Sequence, residues 1–133
     1  MALYVREYKY RQISVLYELF RAGHWSLFEP LLVEFADGRT SVVTPPVVEE
    51  IGGDHYAVIE GSTRSTFVRN EGIDRLRCVV ATGVNRPLPA KPQSLALVRI
   101  VGKTLQVHNR YEDWNYSLFR PIEETVHHPS TLP

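Results

Sequence analysis

The chain has 133 residues, of which 44% are hydrophobic, so it is long enough and apolar enough to bury one core. Its 15 basic residues balance its 15 acidic residues, which argues against binding to nucleic acid or anionic lipid through net charge. Its one cysteine, Cys78, excludes an internal disulfide and a cysteine-based zinc cluster. We therefore predict a single domain over residues 1–133 in which Cys78 is a small buried hydrophobic group.

The first element that the sequence predicts is an amphipathic helix over residues 11–22. Its apolar residues recur at spacings of three, four and seven, which places them on one helical face: Ile13, Leu16, Tyr17 and Phe20. Gly23 follows directly and is expected to end the helix in the left-handed conformation.

Two β-hairpins are predicted after this helix. In the first, residues 31–35 pair with residues 40–43 around the turn Asp37-Gly38, because both turn residues tolerate positive φ. In the second, residues 47–51 pair with residues 56–60, across a turn that is also rich in conformationally permissive residues: Gly52, Gly53 and Asp54.

A short helix over residues 63–71, ended by Gly72, and a buried strand over residues 76–81 are predicted next. A proline-rich connection then excludes regular structure around residues 87–92. The remaining predicted elements are a hairpin that pairs residues 95–101 with 104–108 and a C-terminal helix over 118–126. Together these elements predict an α+β fold with a small mixed β-sheet and flanking short helices.

The segment best suited to bind a ligand is the turn between the strand at residues 56–60 and the next helix. It contains a glycine, three hydroxyl residues and an arginine, in the order Gly61, Ser62, Thr63, Arg64 and Ser65. The glycine permits a sharp turn and a close ligand, the first helical turn offers unpaired N–H groups, and the guanidinium suits a phosphate. Arg64 also shares a helical face with apolar residues, so it needs an anionic partner, which in the alternative interpretation is Glu60 or Glu49.

The order of motifs around this turn resembles one known superfamily. The succession Pro46-Val47-Val48, a turn, residues 56–64, an apolar helix, Gly72 and Cys78-Val79-Val80 resembles the N-terminal domain of ParB, sulfiredoxin and the ParB-like free serine kinases. The resemblance covers about residues 44–82. It implies a ParB/sulfiredoxin-like fold in which the glycine turn and the following helix hold the phosphates of a nucleotide.

The turn departs from two branches of that superfamily and fits the third. Where this chain has Gly61-Ser62-Thr63-Arg64, ParB proteins that bind CTP have Gly-Glu-Arg-Arg and sulfiredoxin has Gly-Cys-His-Arg. A CTP clamp is not expected, because only the glycine and the second arginine match the ParB turn. Sulfinic acid reduction is not expected either, because a hydroxyl cannot replace a thiolate nucleophile. Glu60 occupies the place of the acidic residue of the serine kinases, so a purine triphosphate with Mg²⁺, hydrolysed or used for phosphoryl transfer, is the function that the resemblance implies.

Carboxylates near the turn are the candidate catalytic groups. Glu60 and Glu49 are placed near the metal or the hydroxyl acceptor, although ion pairs with arginine are the commoner role of such residues. Mg²⁺ is expected to arrive with the nucleotide, and the five histidines show no metal-ligand spacing. Weaker candidates near the nucleotide are His55, Glu50, Glu112, Asp113 and Asn115.

Two other classes of function stay open on the sequence. Five arginines in one stretch favour a DNA-binding or nuclease module: Arg64, Arg69, Arg75, Arg77 and Arg86. Aromatic residues near 114–119 favour a non-catalytic interaction domain that forms a homodimer. No run approaches the roughly 20 apolar residues of a membrane span, so we expect a cytoplasmic protein without a membrane partner.

Overall fold

The computed structural model describes residues 4–24, 28–34, 36–102 and 114–120, and within them it is an α+β structure. No helix in these ranges is long and apolar enough to cross a membrane. The elements follow in chain order: β1 (Tyr4–Arg6), α1 (Glu7–Ala22), β2 (Leu31–Glu34), β3 (Thr40–Val43), β4 (Val47–Gly52), β5 (His55–Glu60), α2 (Ser62–Asn70), β6 (Val79–Ala81), a first 3₁₀-helix (Leu95–Leu97), β7 (Arg99–Val101) and a second 3₁₀-helix (Tyr116–Leu118).

The predicted first helix is confirmed, but α1 begins at Glu7 and has 16 residues, so it is longer than expected. The predicted role of Gly23 is wrong. Gly23 has φ −84°, and the left-handed residue is His24 with φ +55°. Gly23 therefore keeps a right-handed conformation after the last helical residue, Ala22, and the left-handed conformation comes one residue later.

The predicted apolar face of α1 packs against α2 and the β2–β3 hairpin. Tyr10 and Tyr17 lie over the Phe67 ring, with centroid distances of 5.3 and 5.5 Å. Five buried residues form the centre of this core: Phe20, Phe28, Val43, Phe67 and Val68. Burial of aromatic rings of this size supplies the main attraction between the two helices.

Strand β4 is the centre of a mixed three-stranded sheet with the order β5-β4-β6. It pairs antiparallel with β5, as the second predicted hairpin requires, and parallel with β6. Gly53 and Asp54 have φ values of +58° and +59°, the positive values that a two-residue type I′ turn needs at both positions. The hairpin turn thus fixes β4 against β5 locally, whereas β6 arrives after the crossover through α2.

The buried strand predicted over residues 76–81 is wrong in both length and burial. Strand β6 spans three residues, and Val79 and Val80 are 50% and 47% exposed. Strand β6 pairs with β4 and has no second neighbour among the described strands, so its apolar residues lie at a sheet edge. Cys78, just before it, is partly exposed rather than buried.

The other four strands form two pairs. Strands β2 and β3 make the first predicted hairpin, with Gly38 at φ +84° in its turn. Strand β7 pairs in parallel with β1, which the sequence did not predict. Residues 95–101 are therefore not one hairpin arm, and the predicted partner strand, 104–108, lies outside the described residues.

The predicted C-terminal helix is not found in its described part. Residues 116–118 form a single 3₁₀ turn, and Phe119 and Arg120 continue without helical structure. The remainder of the predicted helix, 121–126, lies outside the described residues.

Candidate functional site

The turn after β5 has the predicted order of strand, glycine and helix. Gly61 has φ +96° and stands directly before α2. A Cβ atom at this position would lie 2.7 Å from Pro46 Cβ and 3.1 Å from Arg64 Nη2, closer than side-chain carbons approach one another. Both the backbone conformation and the lack of space therefore require glycine here.

Helix α2 begins without a side-chain cap, because residue 61 is glycine and has no side-chain oxygen. The Ser65 amide donates the first helical hydrogen bond to the Gly61 carbonyl, at 2.9 Å. The backbone amides before Ser65 point out of the start of α2, and together with the helix dipole they give this end a partial positive charge. Ser62 and Thr63 are partly buried beside them. This end of α2 can accept an anionic group.

Three hydroxyl residues of α2 share one helical face, because they are spaced by three and four residues: Ser62, Ser65 and Thr66. Ser65 and Thr66 are 5% and 1% exposed, and their hydroxyl oxygens have no hydrogen-bond partner in the described part of the chain.

Arg64 points into the protein rather than toward an open site. Its side chain is 13% exposed and forms an ion pair with Glu60 Oε2 at 2.8 Å. Its second nitrogen, Nη1, donates to the Thr44 carbonyl. The anionic partner of Arg64 is thus Glu60, one of the two partners named in the alternative interpretation of the sequence. Through its bond to Thr44, Arg64 also connects the turn to the segment between β3 and β4.

Glu49 is held in a second buried ion pair. Its oxygens accept hydrogen bonds from Arg120 Nε and Nη2, each at 2.8 Å, and the two side chains are 5% and 9% exposed. Arg120 also donates to the carbonyls of Arg86, Pro87 and Leu118. The hydrogen bonds to Glu49 raise the pKa of Arg120 above its ordinary value.

Sequence reasoning missed Arg120 as the partner of Glu49. The buried carboxylate in the apolar strand Val47-Val48-Glu49 signalled that a cation was needed. Its partner is 71 positions away in sequence, and no local pattern connects the two.

The structure does not bring the predicted carboxylates together. Glu49 faces Arg120 and Glu60 faces Arg64, while Glu50 is exposed at the next position of β4. Over the described ranges, no group of three His, Cys, Asp or Glu side chains could hold a metal ion. Glu49 and Glu60 are each already paired with an arginine.

An open groove of about 490 Å³ lies beside the start of α2, between β5 and the segment around the first 3₁₀-helix. Ser62 forms part of its wall, while Arg64, Glu60 and Glu49 do not line it. Its lining is mostly apolar, with a few polar side chains: Ile51, His55, Tyr56, Ala57, Val58, Ser62, Pro92, Gln93, Ser94, Leu95 and Val98. Of the weaker candidates, His55 is thus placed at this groove.

Asn115 is a capping residue in the structure. Its side-chain oxygen accepts hydrogen bonds from the Ser117 amide at 3.0 Å and the Ser117 hydroxyl at 2.6 Å, and its amide donates to the Pro89 carbonyl. The predicted candidates Glu112 and Asp113 lie outside the described residues.

Comparison of the chain with protein-family models, with curated proteins and with solved structures finds no match. The ParB/sulfiredoxin resemblance of residues 44–82 accordingly stays a prediction made from the sequence motifs.

Proposed function

We propose that this chain is a nucleotide-binding domain and that the nucleotide lies in the groove beside the start of α2. The observation that carries the proposal is the groove itself, whose volume is typical of small-molecule sites and whose wall includes Ser62 at an uncapped helix end. The phosphate would accept hydrogen bonds from the first-turn amides and from the hydroxyl of Ser62.

Other lining residues of the groove suit a base. Tyr56 is half exposed and forms part of the lining, so a face of its ring is available for stacking. The side chains of Leu95 and Val98 provide apolar surface opposite β5. A nucleoside would therefore bury its base against Tyr56 while its phosphate reaches α2.

In this proposal Arg64 and Glu60 hold the turn and do not bind the phosphate. Their ion pair, with the bond to Thr44, keeps Gly61 in place against Pro46. Thr63 neighbours the turn without lining the groove. Ser65 does not line the groove either, so this assigns Gly61 and Arg64 to positioning and Ser62 to binding.

The ParB/sulfiredoxin-like fold is part of the same proposal. Its support is the β4–β5 hairpin, the glycine turn, α2 and the parallel return in β6, which follow the order of the resemblance. Hydrolysis or phosphoryl transfer stays a prediction, in which Glu60, the more exposed of the two candidate carboxylates, would act as the base after leaving Arg64.

A thermal-shift panel tests the proposal. ATP, ADP, CTP and GTP, each with and without Mg²⁺, should raise the melting temperature if they bind the native state. Tyr56→Leu should reduce the shift, and Tyr8→Leu, which changes a tyrosine on α1 away from the groove, should leave it unchanged. Absence of a shift with every nucleotide would refute nucleotide binding.

A DNA-binding module is the second candidate, favoured by three exposed arginines in and after α2: Arg69, Arg75 and Arg77. Arg64 is paired with Glu60, and Arg86 donates to the Ser117 carbonyl, so these two are already engaged. The DNA hypothesis predicts an affinity that falls steeply with salt. The third candidate, an interaction domain that self-associates, predicts a dimer in sedimentation and no response to nucleotides.

A further inference from the structure

Strand β6 lies at one edge of the mixed sheet and exposes apolar side chains on both faces. Successive residues of a strand point to opposite faces, yet Val79 and Val80 are both exposed, at 50% and 47%. Their neighbours in β4, Val47 and Val48, are buried. An edge strand that leaves valine exposed on both faces can bind a further strand.

The backbone of β6 shows where a further strand would pair. The Val79 amide donates to the carbonyl of Pro46, directly before β4, at 2.8 Å, so its N–H group points toward β4. Backbone groups alternate in direction along a strand, and the N–H and C=O groups of Val80 therefore point away from β4. No strand lies on that side of β6 within the described ranges. Val80 thus offers one donor and one acceptor to an extended chain.

The segment that leads into β6 carries positive charge on its outer side. Ile73 and Leu76 pack against the core, while Arg75 and Arg77 are exposed. Neither of these arginines forms an ion pair with another described residue, and the exposed carboxylate beside them is Asp74. The start of β6 therefore suits a partner with several carboxylates.

We propose that the open edge of β6 binds an extended acidic peptide of another protein. The peptide backbone pairs with Val80, β-branched side chains cover Val79 and Val80, and carboxylates bind Arg75 and Arg77. Antiparallel pairing is the more stable arrangement per residue, and it requires the acidic residues to follow the apolar ones in the peptide. This edge is opposite β5 and the groove, so the inference is independent of nucleotide binding.

Charge complementarity favours this partner over a second copy of the chain. A second β6 edge would bring two more arginines and one more aspartate, so it would not neutralise Arg75 and Arg77. DNA would neutralise them, but its phosphates would leave the exposed valines and the backbone groups of Val80 without partners. An acidic peptide in extended conformation satisfies the charge, the apolar surface and the backbone together.

Fluorescence anisotropy of a labelled peptide tests the proposal on the full chain. The probe is Val-Thr-Ile-Val-Glu-Asp-Glu with blocked ends, and we expect saturable binding. One analogue has lysine in place of each acidic residue, and another has proline in place of the adjacent Ile and Val, which removes two amide donors. Each analogue should bind about tenfold or more weakly. Equal binding of all three peptides, or no binding of the acidic one, would overturn the proposal.

Two variants of the protein locate the bound peptide. Val80→Pro removes the N–H group that points away from β4 and keeps the bond from Val79, so it should weaken peptide binding about tenfold. Val80→Thr, which keeps the N–H group, is its matched control. Arg77→Gln should also weaken binding, whereas Arg11→Gln, on the exposed part of α1, should not. Parental affinity in both Val80→Pro and Arg77→Gln would exclude the peptide from this edge.

The other two occupants have their own signatures. Sedimentation velocity of the free chain should show no dimer that depends on Val80, and a dimer that Val80→Pro dissociates would assign the edge to a second copy instead. A DNA duplex should bind more weakly than the acidic peptide. Tighter binding of the duplex, weakened by Arg77→Gln but not by Val80→Pro, would assign the arginines to DNA and refute the peptide site.

Discussion

Gly61 is the residue whose conformation determines how β5 passes into α2. Its φ is +96°, and a side chain would overlap Pro46, so the turn excludes every other amino acid on two separate grounds. The sequence indicated the need for a positive φ, since glycine between a strand and a helix is typical of a sharp turn. The steric requirement depends on a contact with Pro46, 15 positions earlier, which no local pattern reveals.

Substitution of two glycines separates these two effects. Gly38 has a similar φ of +84°, and an added methyl group would meet no other part of the protein within 4 Å, so Gly38→Ala should lose only the conformational term, about 1–2 kcal/mol. Gly61→Ala should lose that amount and about 1–3 kcal/mol more from the overlap. Urea unfolding of both variants measures the difference, and equal losses would contradict the tight contact at Gly61.

Arg64 shows how far residue chemistry could be predicted from the sequence. Its position on an apolar helical face correctly indicated that it points inward and needs an anionic partner. The sequence also offered the phosphate and Glu60 as alternative partners. The structure pairs Arg64 with Glu60, and the choice depended on how closely the turn brings residues 60 and 64 together.

At the scale of elements, most of the confirmed predictions came from local signals, although the local signal at Gly23 was misleading. The helical face of α1, the glycine turns of both hairpins and the stop of α2 at Gly72 each depend on residues within one or two turns of chain. The β1–β7 pair was missed because its strands are about 95 residues apart and only three residues long. The burial of β6 was overestimated because a run of β-branched residues does not distinguish a central strand from an edge.

Tyr10 lies at the contact between α1 and α2, and its titration should make the free energy of unfolding change with pH in the alkaline range. Burial raises the pKa of Tyr10, and the nearby charge and hydrogen bond of Glu71 raise it further, against an opposing hydrogen bond with Asn70. A raised pKa means that the unfolded state loses the proton first. The stabilising effect is therefore complete below about pH 10 and is lost as pH rises through the folded-state pKa.

Tyr10→Phe removes this titration, so its free energy of unfolding should fall less between about pH 9.5 and 11 than that of the parent protein. Tyr8→Phe, on the exposed part of the same helix, should retain the parental fall. Parallel pH profiles for the parent and Tyr10→Phe would show that Tyr10 does not contribute.

At the scale of the whole molecule, the Glu49–Arg120 pair fastens residues 114–120 to the central strand of the mixed sheet. Removing one partner of a buried pair leaves the other charge uncompensated. Glu49→Gln should therefore cost about 3–5 kcal/mol, while Glu50→Gln at the neighbouring exposed position should cost much less. Denaturant unfolding measures both, and equal stability of the two variants would refute a structural role for the pair.

Glu49 was predicted as a catalytic candidate because it lies near the turn at Gly61, although an ion pair with arginine is the commoner role of such a residue. The sequence did not show which cation would pair with it. Because the cation lies near the other end of the chain, the distinction became visible only in the folded structure. The groove was unpredictable for the same reason, since residues 92–98 are distant from β5 and α2 in sequence and line the groove beside them only in the folded chain.

The most direct measurement is a titration of the isotopically labelled protein with ATP and Mg²⁺, followed residue by residue through its amide NMR signals. Nucleotide binding in the groove predicts that the largest shifts occur at His55, Tyr56, Ser62 and residues 94–98. Signals that do not move, or shifts confined to the outer face of α1, would contradict the account.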